Sequence, residues 1–210
     1  MSTPASLPDS PKSDPRRAPQ RILDAAAHRI ARYGATALAL TDVAADAGVS
    51  KALIHYHFHD KDTLLSQLAD AIAGELLARE RASLVDYARQ HSPLAVDALW
   101  RWLEGELRRG SIRTLLELEA YPAARVRAAA RRAATQRREA AAETIERLFT
   151  ILELRSRVSV TLLANVAVAF IDGLALDFDA GVADVAEQGE TRAPRVAFDV
   201  FWLAMLSLAE

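Results

Sequence analysis

The stretch LTDVAADAGVSKALIHYHFHDKDTLL, residues 40–65, decides the fold. Its apolar residues recur at helical spacing, and Gly48 separates them into two short segments. Ser50 is a favourable N-cap for the second segment, and the flanking Val49 and Ile54 occupy the two positions of a hydrophobic staple. Two short helices joined by a three- or four-residue turn that contains glycine form a helix-turn-helix. This stretch therefore predicts that motif.

The composition of the whole chain limits the classes of protein to consider. Its 210 residues are 51% hydrophobic and 26% charged, which is ordinary for a soluble globular protein. The absence of cysteine excludes disulfides, thiolate metal sites and cysteine nucleophiles, and it fits a reducing cytosol. The net charge is −2, yet the segment from Arg16 to Lys61 carries seven basic and four acidic residues. This imbalance predicts one module that faces a polyanion.

The chain is predicted to be all helical. Alanine, leucine and arginine dominate, and no alternating run indicates a strand. Residues 1–17 are rich in Pro, Ser and Asp and are predicted to form a disordered tail. Residues 18–66 are predicted to form a small three-helix helix-turn-helix domain, and residues 67–210 a larger helical domain. The predicted helices run from about Arg21 to Gly34, Thr41 to Ala47, Ser50 to Phe58 and onward from Asp60, then over 93–108, 111–120, 123–153, 157–178 and 195–208, with a flexible connection at 179–194.

Two later segments each allow two interpretations. Residues 158–176 are apolar nearly all round and almost long enough to span a bilayer, but several polar residues interrupt them, so we predict a helix buried on every side. The basic run from Arg125 to Arg138 alternates with alanine. We predict a solvated face there, with a second nucleic-acid surface as the alternative. The two C-terminal helices have apolar residues to spare, which predicts a four-helix interface with a second copy.

Residues 21–65 resemble the DNA-binding domain of TetR-family transcriptional regulators. The matching stretches are RILDAAAHRIARYG (21–34), LTDVAADAGVS (40–50) and ALIHYHFHDKDTLL (52–65). Two positions depart from the family pattern. His55 stands where the family usually has tyrosine, and Ala39 stands where it often has Ser or Thr, so Ala39 offers no side-chain cap to the second helix.

The residues of the second half of the motif suit contacts with duplex DNA. The first turns of a recognition helix touch base edges, so Lys51 suits guanine, and Ala52 or Leu53 suits a thymine methyl group. Thr41 and Lys61 each start a helix, where a phosphate is attracted. The family resemblance implies phosphate contacts for Thr41 and Lys61 and a groove-facing surface that consists of Lys51, Ala52, Leu53, His55, Tyr56 and His57.

The histidines of this stretch have a second interpretation. His55 and His59 share one face if a single helix runs through both, and they then form a possible metal pair. No Cys, Asp or Glu completes a tetrahedral set on the same element, and the chain is expected to turn after Phe58. We therefore predict DNA contact for His55 and His57, a turn at His59, and neither metal nor cofactor.

The resemblance implies that residues 67–210 bind an effector and form a homodimer. Trp100 and Trp102 lie two positions apart and cannot share a helix face, so one is expected in the core and the other at a cavity. The candidate pocket residues are Trp100, Trp102, Tyr121, Phe149, Asn165 and Phe170, with Glu117 and Glu119 as further polar groups. The alternative is that these aromatic residues are ordinary core and the carboxylates are solvated.

The resemblance implies a cytoplasmic, ligand-responsive regulator that binds a palindromic operator as a dimer. A small hydrophobic effector would release it, which makes a repressor the expected role. The alternatives are an activator and a regulator whose larger domain binds a protein partner instead of a small molecule. An enzyme is not expected, because the sequence contains no Gly-rich phosphate loop, nucleophile elbow or zinc-helix motif, and no catalytic residue is predicted.

Overall fold

The computed structural model describes residues 17–88, 95–178 and 192–210. Within these ranges the regular secondary structure is helical, with one isolated antiparallel bridge between Ser156 and Ala209, so the predicted all-α fold is confirmed. The predicted tail (except residue 17), the first two residues of the helix predicted at 93–108, and residues 179–191 of the predicted connection lie outside the described residues. The helices are α1 (Ala18–Tyr33), α2 (Leu40–Ala47), α3 (Lys51–Phe58), α4 (Lys61–Ala88), α5 (Ala95–Arg109), α6 (Ser111–Glu119), α7 (Ala124–Ile151), α8 (Val160–Asp177) and α9 (Arg192–Ser207).

Helix α1 supports the helix-turn-helix from one side. Its buried stripe repeats every four residues, as the helical period requires, and includes Ile22, Ala26 and Ile30. On the polar side, Arg29 donates hydrogen bonds to the carboxylates of Asp42 (2.9 Å) and Asp46 (2.6 Å), which lie in α2. These contacts fix the angle between α1 and α2.

The turn between α2 and α3 has the predicted geometry. Gly48 adopts the left-handed conformation (φ 63°) that ends α2. The Ser50 hydroxyl accepts a hydrogen bond from the Leu53 backbone N–H at 3.2 Å, so the predicted N-cap is confirmed. Helix α2 begins at Leu40, one residue earlier than predicted, and Ala39 at its N-cap makes no side-chain hydrogen bond.

Helix α4 begins beside the helix-turn-helix and continues into the larger domain. The Asp60 carboxylate caps it by accepting hydrogen bonds from the Thr63 backbone N–H (2.6 Å) and hydroxyl (2.8 Å) and from Arg125 (2.8 Å). These bonds, the backbone one foremost, lower the pKa of Asp60 to about 2. Because α4 crosses position 66 without a break, the division into residues 18–66 and 67–210 stays a prediction.

The core around the helix-turn-helix extends into α6 and α7. Side chains from α1 to α4 share one buried cluster with Leu115 and Leu118 of α6 and with Val126 and Ala130 of α7. The Glu117 carboxylate of α6 also accepts a hydrogen bond from the Ala35 backbone N–H at 3.3 Å, just after α1. The helices of the helix-turn-helix are therefore packed directly on α6 and α7.

Gly110 joins α5 to α6 at the point where this junction approaches α1. Its φ is +68°, and a Cβ at this position would lie 2.6 Å from the Cβ of Ala31. Gly48 has a similar φ of +63°, but a Cβ there would meet nothing within 4 Å. A side chain at Gly48 therefore adds backbone strain alone, whereas a side chain at Gly110 adds backbone strain and a steric overlap with Ala31.

We expect Gly110→Ala to lower the free energy of unfolding by about 3 kcal/mol and Gly48→Ala by about 1 kcal/mol. Both substitutions introduce left-handed backbone strain of about 1–2 kcal/mol, and only the first adds overpacking, which costs about 1–3 kcal/mol. Urea unfolding followed by circular dichroism measures the difference. Equal losses in the two variants would show that α1 does not approach Gly110 closely.

Two predictions for the later helices are wrong in part. Helix α8 packs on one side only, through residues that include Leu163, Ala164 and Ala167, whereas Leu162, Val166 and Leu176 are exposed. By length and composition alone α8 is apolar enough to cross a membrane. In the basic run of α7, Arg125, Arg131, Arg132 and Arg138 are exposed as predicted, but Arg137 is buried because it falls on the inward stripe of the helix.

Candidate DNA-binding face and ligand cavity

Helix α3 has one face in the core and the opposite face in solvent. Ile54 and Phe58, four residues apart, are both 1% exposed and anchor the helix. The exposed residues are the predicted Lys51, Ala52, His55 and Tyr56, of which Tyr56 is 75% exposed. These four side chains form the surface that we call the α3 face.

The other two predicted groove residues lie at the margin of the α3 face. Leu53 and His57 are half-buried. The His57 ring lies edge-on to Tyr56 with centroids 5.1 Å apart, and its Nε2 is buried without a hydrogen-bond partner among the described residues. Two of the six predicted residues are thus placed to support the α3 face from the side.

The structure places the two predicted phosphate residues on either side of α3. Thr41 is exposed in the first turn of α2, where no side-chain cap occupies the helix N-terminus. Lys61 is half-buried at the start of α4, and burial lowers its pKa. Its Nζ lies 3.5 Å from the Thr36 carbonyl oxygen and 5.5 Å from the centre of the Tyr121 ring.

The histidines do not form a shared helical face. Helix α3 ends at Phe58, and His59 follows in a positive-φ turn (φ 63°), as predicted. The backbone carbonyl of His59 lies 2.9 Å from Nδ1 of His55. Within the described ranges no three His, Asp or Glu side chains are grouped as metal ligands, and the absence of a metal stays a prediction.

A cavity of about 60 Å³ lies in the larger domain between α4, α5, α7, α8 and α9. Most of its wall is apolar, and the Phe170 and Phe201 rings stack in parallel there with centroids 4.2 Å apart. The polar part of the wall consists of Glu80, Arg137 and Thr144 together with the indole rings of Trp102 and Trp202. An apolar cavity with a few convergent polar groups is the usual form of a small-molecule site.

The polar groups of the cavity form two hydrogen-bonded pairs. Arg137 Nη2 donates to the Asp172 carboxylate at 2.6 Å, and the Arg137 side chain is only 6% exposed. The Thr144 hydroxyl donates to Glu80 Oε1 at 2.8 Å. Burial raises the pKa of Glu80, and the hydrogen bond from Thr144 and the charge of Arg137 oppose this rise. An ion pair and a buried carboxyl group thus lie beside one cavity.

Only two of the six predicted pocket residues, Trp102 and Phe170, line this cavity. Of the two tryptophans Trp100 and Trp102, Trp100 is the one in the core. It packs against Phe198, with ring centroids 5.3 Å apart. Phe149 is buried in the neighbouring cluster between α7 and α8, and Asn165 lies on the exposed side of α8.

Tyr121 and both predicted carboxylates also lie away from the cavity. Tyr121 follows α6 and packs on the core of the helix-turn-helix. Glu117 contacts the turn after α1, and Glu119 is half-exposed outside the cavity wall. These corrections have one physical cause, because α6 faces the helix-turn-helix rather than the cavity.

Sequence reasoning missed Glu80, Arg137, Thr144 and Trp202. A signal for two of them is present in α7, whose buried stripe includes Ala130, Ala133, Arg137, Ala140 and Thr144 at steps of three and four. An arginine on an alanine-rich inward stripe indicates a buried partner or a cavity. Glu80 and Trp202 carry no comparable signal, because their placement depends on how α4 and α9 meet.

Comparison with known proteins places residues 22–68 in the family described as bacterial regulatory proteins, tetR family. This segment contains α2 and α3 entirely, with most of α1 and the start of α4. No curated protein matches the chain.

Solved structures of similar fold cover nearly the whole chain. A TetR-family transcriptional regulator from Rhodococcus sp. is 24% identical, with a TM-score of 0.65 over 90% of this chain and 99% of that chain. PfmR, a TetR-family regulator from Thermus thermophilus, is 21% identical, with a TM-score of 0.59 over 88% and 94%. NalD, the secondary repressor of the MexAB-OprM multidrug efflux pump in Pseudomonas aeruginosa, is 18% identical, with a TM-score of 0.54 over 93% and 98%. At these identities the likeness concerns the fold.

Proposed function

We propose that this chain, which belongs to the TetR family of bacterial regulatory proteins through residues 22–68, is a cytoplasmic repressor that binds a palindromic operator as a homodimer and is released by a small molecule. The observation that carries the proposal is the α3 face, which stands in solvent on a helix anchored from behind by Ile54 and Phe58. A rigid helix with Lys51 in its first turn is suited to the major groove. The similarity of fold to NalD, a repressor, favours repression over activation.

The exposed apolar residues of the larger domain support the dimer. Most of the large exposed hydrophobic side chains in the described ranges lie on α8 or α9 or just after α9, and contiguous patches of this kind mark interfaces. Exposed small residues on α8, such as Ala169 and Gly173, allow close helix contact. Two copies of α8 and α9 together would form a four-helix interface. The exposed large residues are Leu162, Val166, Leu176, Val196, Val200, Leu203 and Leu208.

We expect Leu203→Glu to convert the dimer to a monomer, because it places a carboxylate at a side chain that is 67% exposed in the single chain and buried in the proposed interface. Light scattering coupled to size exclusion measures the mass. Ile151→Glu is the matched control, because Ile151 is 41% exposed at the end of α7 and should leave the dimer intact. If Leu203→Glu also remains dimeric, the interface lies elsewhere.

Helix α4 offers a direct connection between the cavity and the α3 face. Its first turn carries Lys61, and Glu80 at the cavity lies 19 residues further along, about 28 Å at 1.5 Å per residue. The cavity of about 60 Å³ is smaller than the roughly 150 Å³ that accommodates benzene, so an effector of ordinary size must displace a wall helix. A displacement of α4 would alter the separation of the two α3 helices, which is about 34 Å for adjacent major grooves.

Selection from random duplex DNA tests the proposed function. Purified protein at moderate salt should enrich a near-palindrome, because a two-fold dimer reads two inverted half-sites. Retention of DNA without a consensus, weakened steeply by salt, would indicate phosphate binding alone and would contradict an operator-reading regulator.

We expect Tyr56→Ala to weaken binding to the selected operator by roughly tenfold to a hundredfold, which corresponds to the loss of one good contact. The melting temperature should not change, because the Tyr56 side chain is 75% exposed. Fluorescence anisotropy measures the affinity, and His28→Ala, at an exposed position on α1, is the control. Lys61→Ala is expected to weaken binding too, but it also removes the contact with Tyr121. Unchanged affinity in both variants would place the DNA on another face.

A further inference from the structure

The wall of the cavity contains hydrogen-bond donors without acceptors. The indole rings of Trp102 and Trp202 both line the cavity. The Nε1 of each is buried, and neither has a hydrogen-bond partner within the described part of the chain. Because a buried N–H without an acceptor is unfavourable, an acceptor atom that reaches either indole nitrogen gains a hydrogen bond.

Arg137 adds further donors to the same wall. Its guanidinium offers five N–H donors, of which Nη2 donates to Asp172 in the only Arg137 hydrogen bond among the described residues. The second carboxyl group nearby, that of Glu80, already accepts the Thr144 hydroxyl through Oε1. Donors therefore outnumber acceptors around this cavity.

The donors of the wall that lack a partner in the described ranges, rather than its charges, favour a guest that carries acceptor atoms over a cationic one. Asp172 offsets the charge of Arg137 at 2.6 Å. Burial raises the pKa of Glu80, because desolvation disfavours its charged form. A cationic guest would instead approach the guanidinium and leave both indole N–H groups unsatisfied.

We propose that this cavity binds a small carboxylic acid with an apolar body, whose carboxylate oxygens accept hydrogen bonds from Trp102, Trp202 and Arg137. Arginine is suited to this group, because its planar fork matches a carboxylate. The apolar body lies against the stacked Phe170 and Phe201 rings. The inference rests on the proposed function only in identifying the cavity as the effector site.

The volume of the cavity limits the body of the ligand. At about 60 Å³ the closed cavity is too small for a benzene ring, which occupies a cavity of roughly 150 Å³. Any guest of more than a few non-hydrogen atoms therefore displaces the wall helices, and a flexible chain adapts to the space that opens more readily than a rigid ring does. Hexanoate is accordingly a suitable probe, with hexylammonium and 2-hexanone as matched molecules that carry a cation and a neutral acceptor.

Calorimetric titration of the full chain with these three probes tests the inference. Hexanoate should bind at least tenfold more tightly than hexylammonium, and 2-hexanone should fall between them, because it accepts hydrogen bonds without a charge. Hexylammonium binding as tightly as hexanoate would overturn the proposal. Absence of measurable heat from all three probes at millimolar concentration would overturn it as well.

Single replacements of tryptophan locate the site. Trp202→Phe keeps an aromatic ring and removes the N–H, so it should weaken hexanoate binding roughly tenfold and leave hexylammonium unaffected. Trp100→Phe is the control, because Trp100 is buried beside Phe198 but does not line the cavity. Equal effects of the two replacements would overturn the assignment of Trp202.

Operator binding is measured separately, so that the two proposals are tested independently. If hexanoate binds with the expected selectivity but operator affinity is unchanged, the ligand inference is supported. The proposal that a ligand in this cavity releases the protein from its operator is then contradicted. A protein that binds its operator but none of the three probes contradicts the ligand inference alone.

Discussion

Phe58→Ala lowers the free energy of unfolding by about 3–5 kcal/mol, the usual cost of truncating a buried phenylalanine. Phe58 is 1% exposed and lies in the same buried cluster as Ile22, Val43 and Leu65 from α1, α2 and α4. Helix α3 has only eight residues, and Ile54 and Phe58 are its buried side chains. Loss of one of these two anchors leaves a cavity where three helices meet α3, and the α3 face loses its fixed orientation.

Guanidinium unfolding followed by circular dichroism measures this loss. Tyr56→Ala is the control on the same helix, because it removes an aromatic side chain that is 75% exposed and should change stability by less than about 0.5 kcal/mol. The two variants should therefore separate stability from DNA affinity, the first losing both and the second only affinity. A loss below about 1 kcal/mol in Phe58→Ala would mean that α3 is not anchored through this ring.

The helix-turn-helix was predictable from sequence because local chemistry determines it. Ser50 caps α3 through its own hydroxyl, and Gly48 takes the left-handed conformation that an L-residue avoids. Asp60 likewise caps α4 within three residues. Such interactions join residues that are close in sequence, so they can be recognised from the sequence alone. The predicted start of α2, Thr41, is one residue later than the observed start, because Ala39 provides no side-chain cap that would mark it.

The cavity was only partly predictable because five helices far apart in sequence form it. Trp102 and Phe170 were anticipated, whereas Tyr121 and Glu117 were expected at the cavity and lie beside the helix-turn-helix. The side of α6 that faces α1 is set by how these helices pack, which hydrophobic periodicity does not reveal. Helix α8 shows the same limit, since an all-round apolar pattern does not distinguish a helix buried on every side from one with an exposed apolar face.

Asp172→Ala is expected to lower the free energy of unfolding by about 3 kcal/mol. The substitution leaves the Arg137 guanidinium, with a side chain only 6% exposed, without its 2.6 Å partner, and an uncompensated buried charge typically costs about 3–5 kcal/mol. Glu80 offsets part of this cost, because the charges of Glu80 and Arg137 already interact. Asp70→Ala breaks the exposed pair of Asp70 and Arg132, 3.2 Å apart, and should cost less than about 1 kcal/mol.

The double variant Arg137→Met with Asp172→Ala decides whether charge or packing accounts for the loss. Methionine keeps an apolar chain of similar length in the cavity wall and removes the buried cation, so most of the stability should return, because replacing a buried ion pair by apolar residues is often neutral. Unfolding of the two single variants, the double variant and the parent gives the coupling energy between Arg137 and Asp172 as a double-mutant cycle. A double variant as unstable as Asp172→Ala would show that Asp172 stabilises α8 through contacts other than its pair with Arg137.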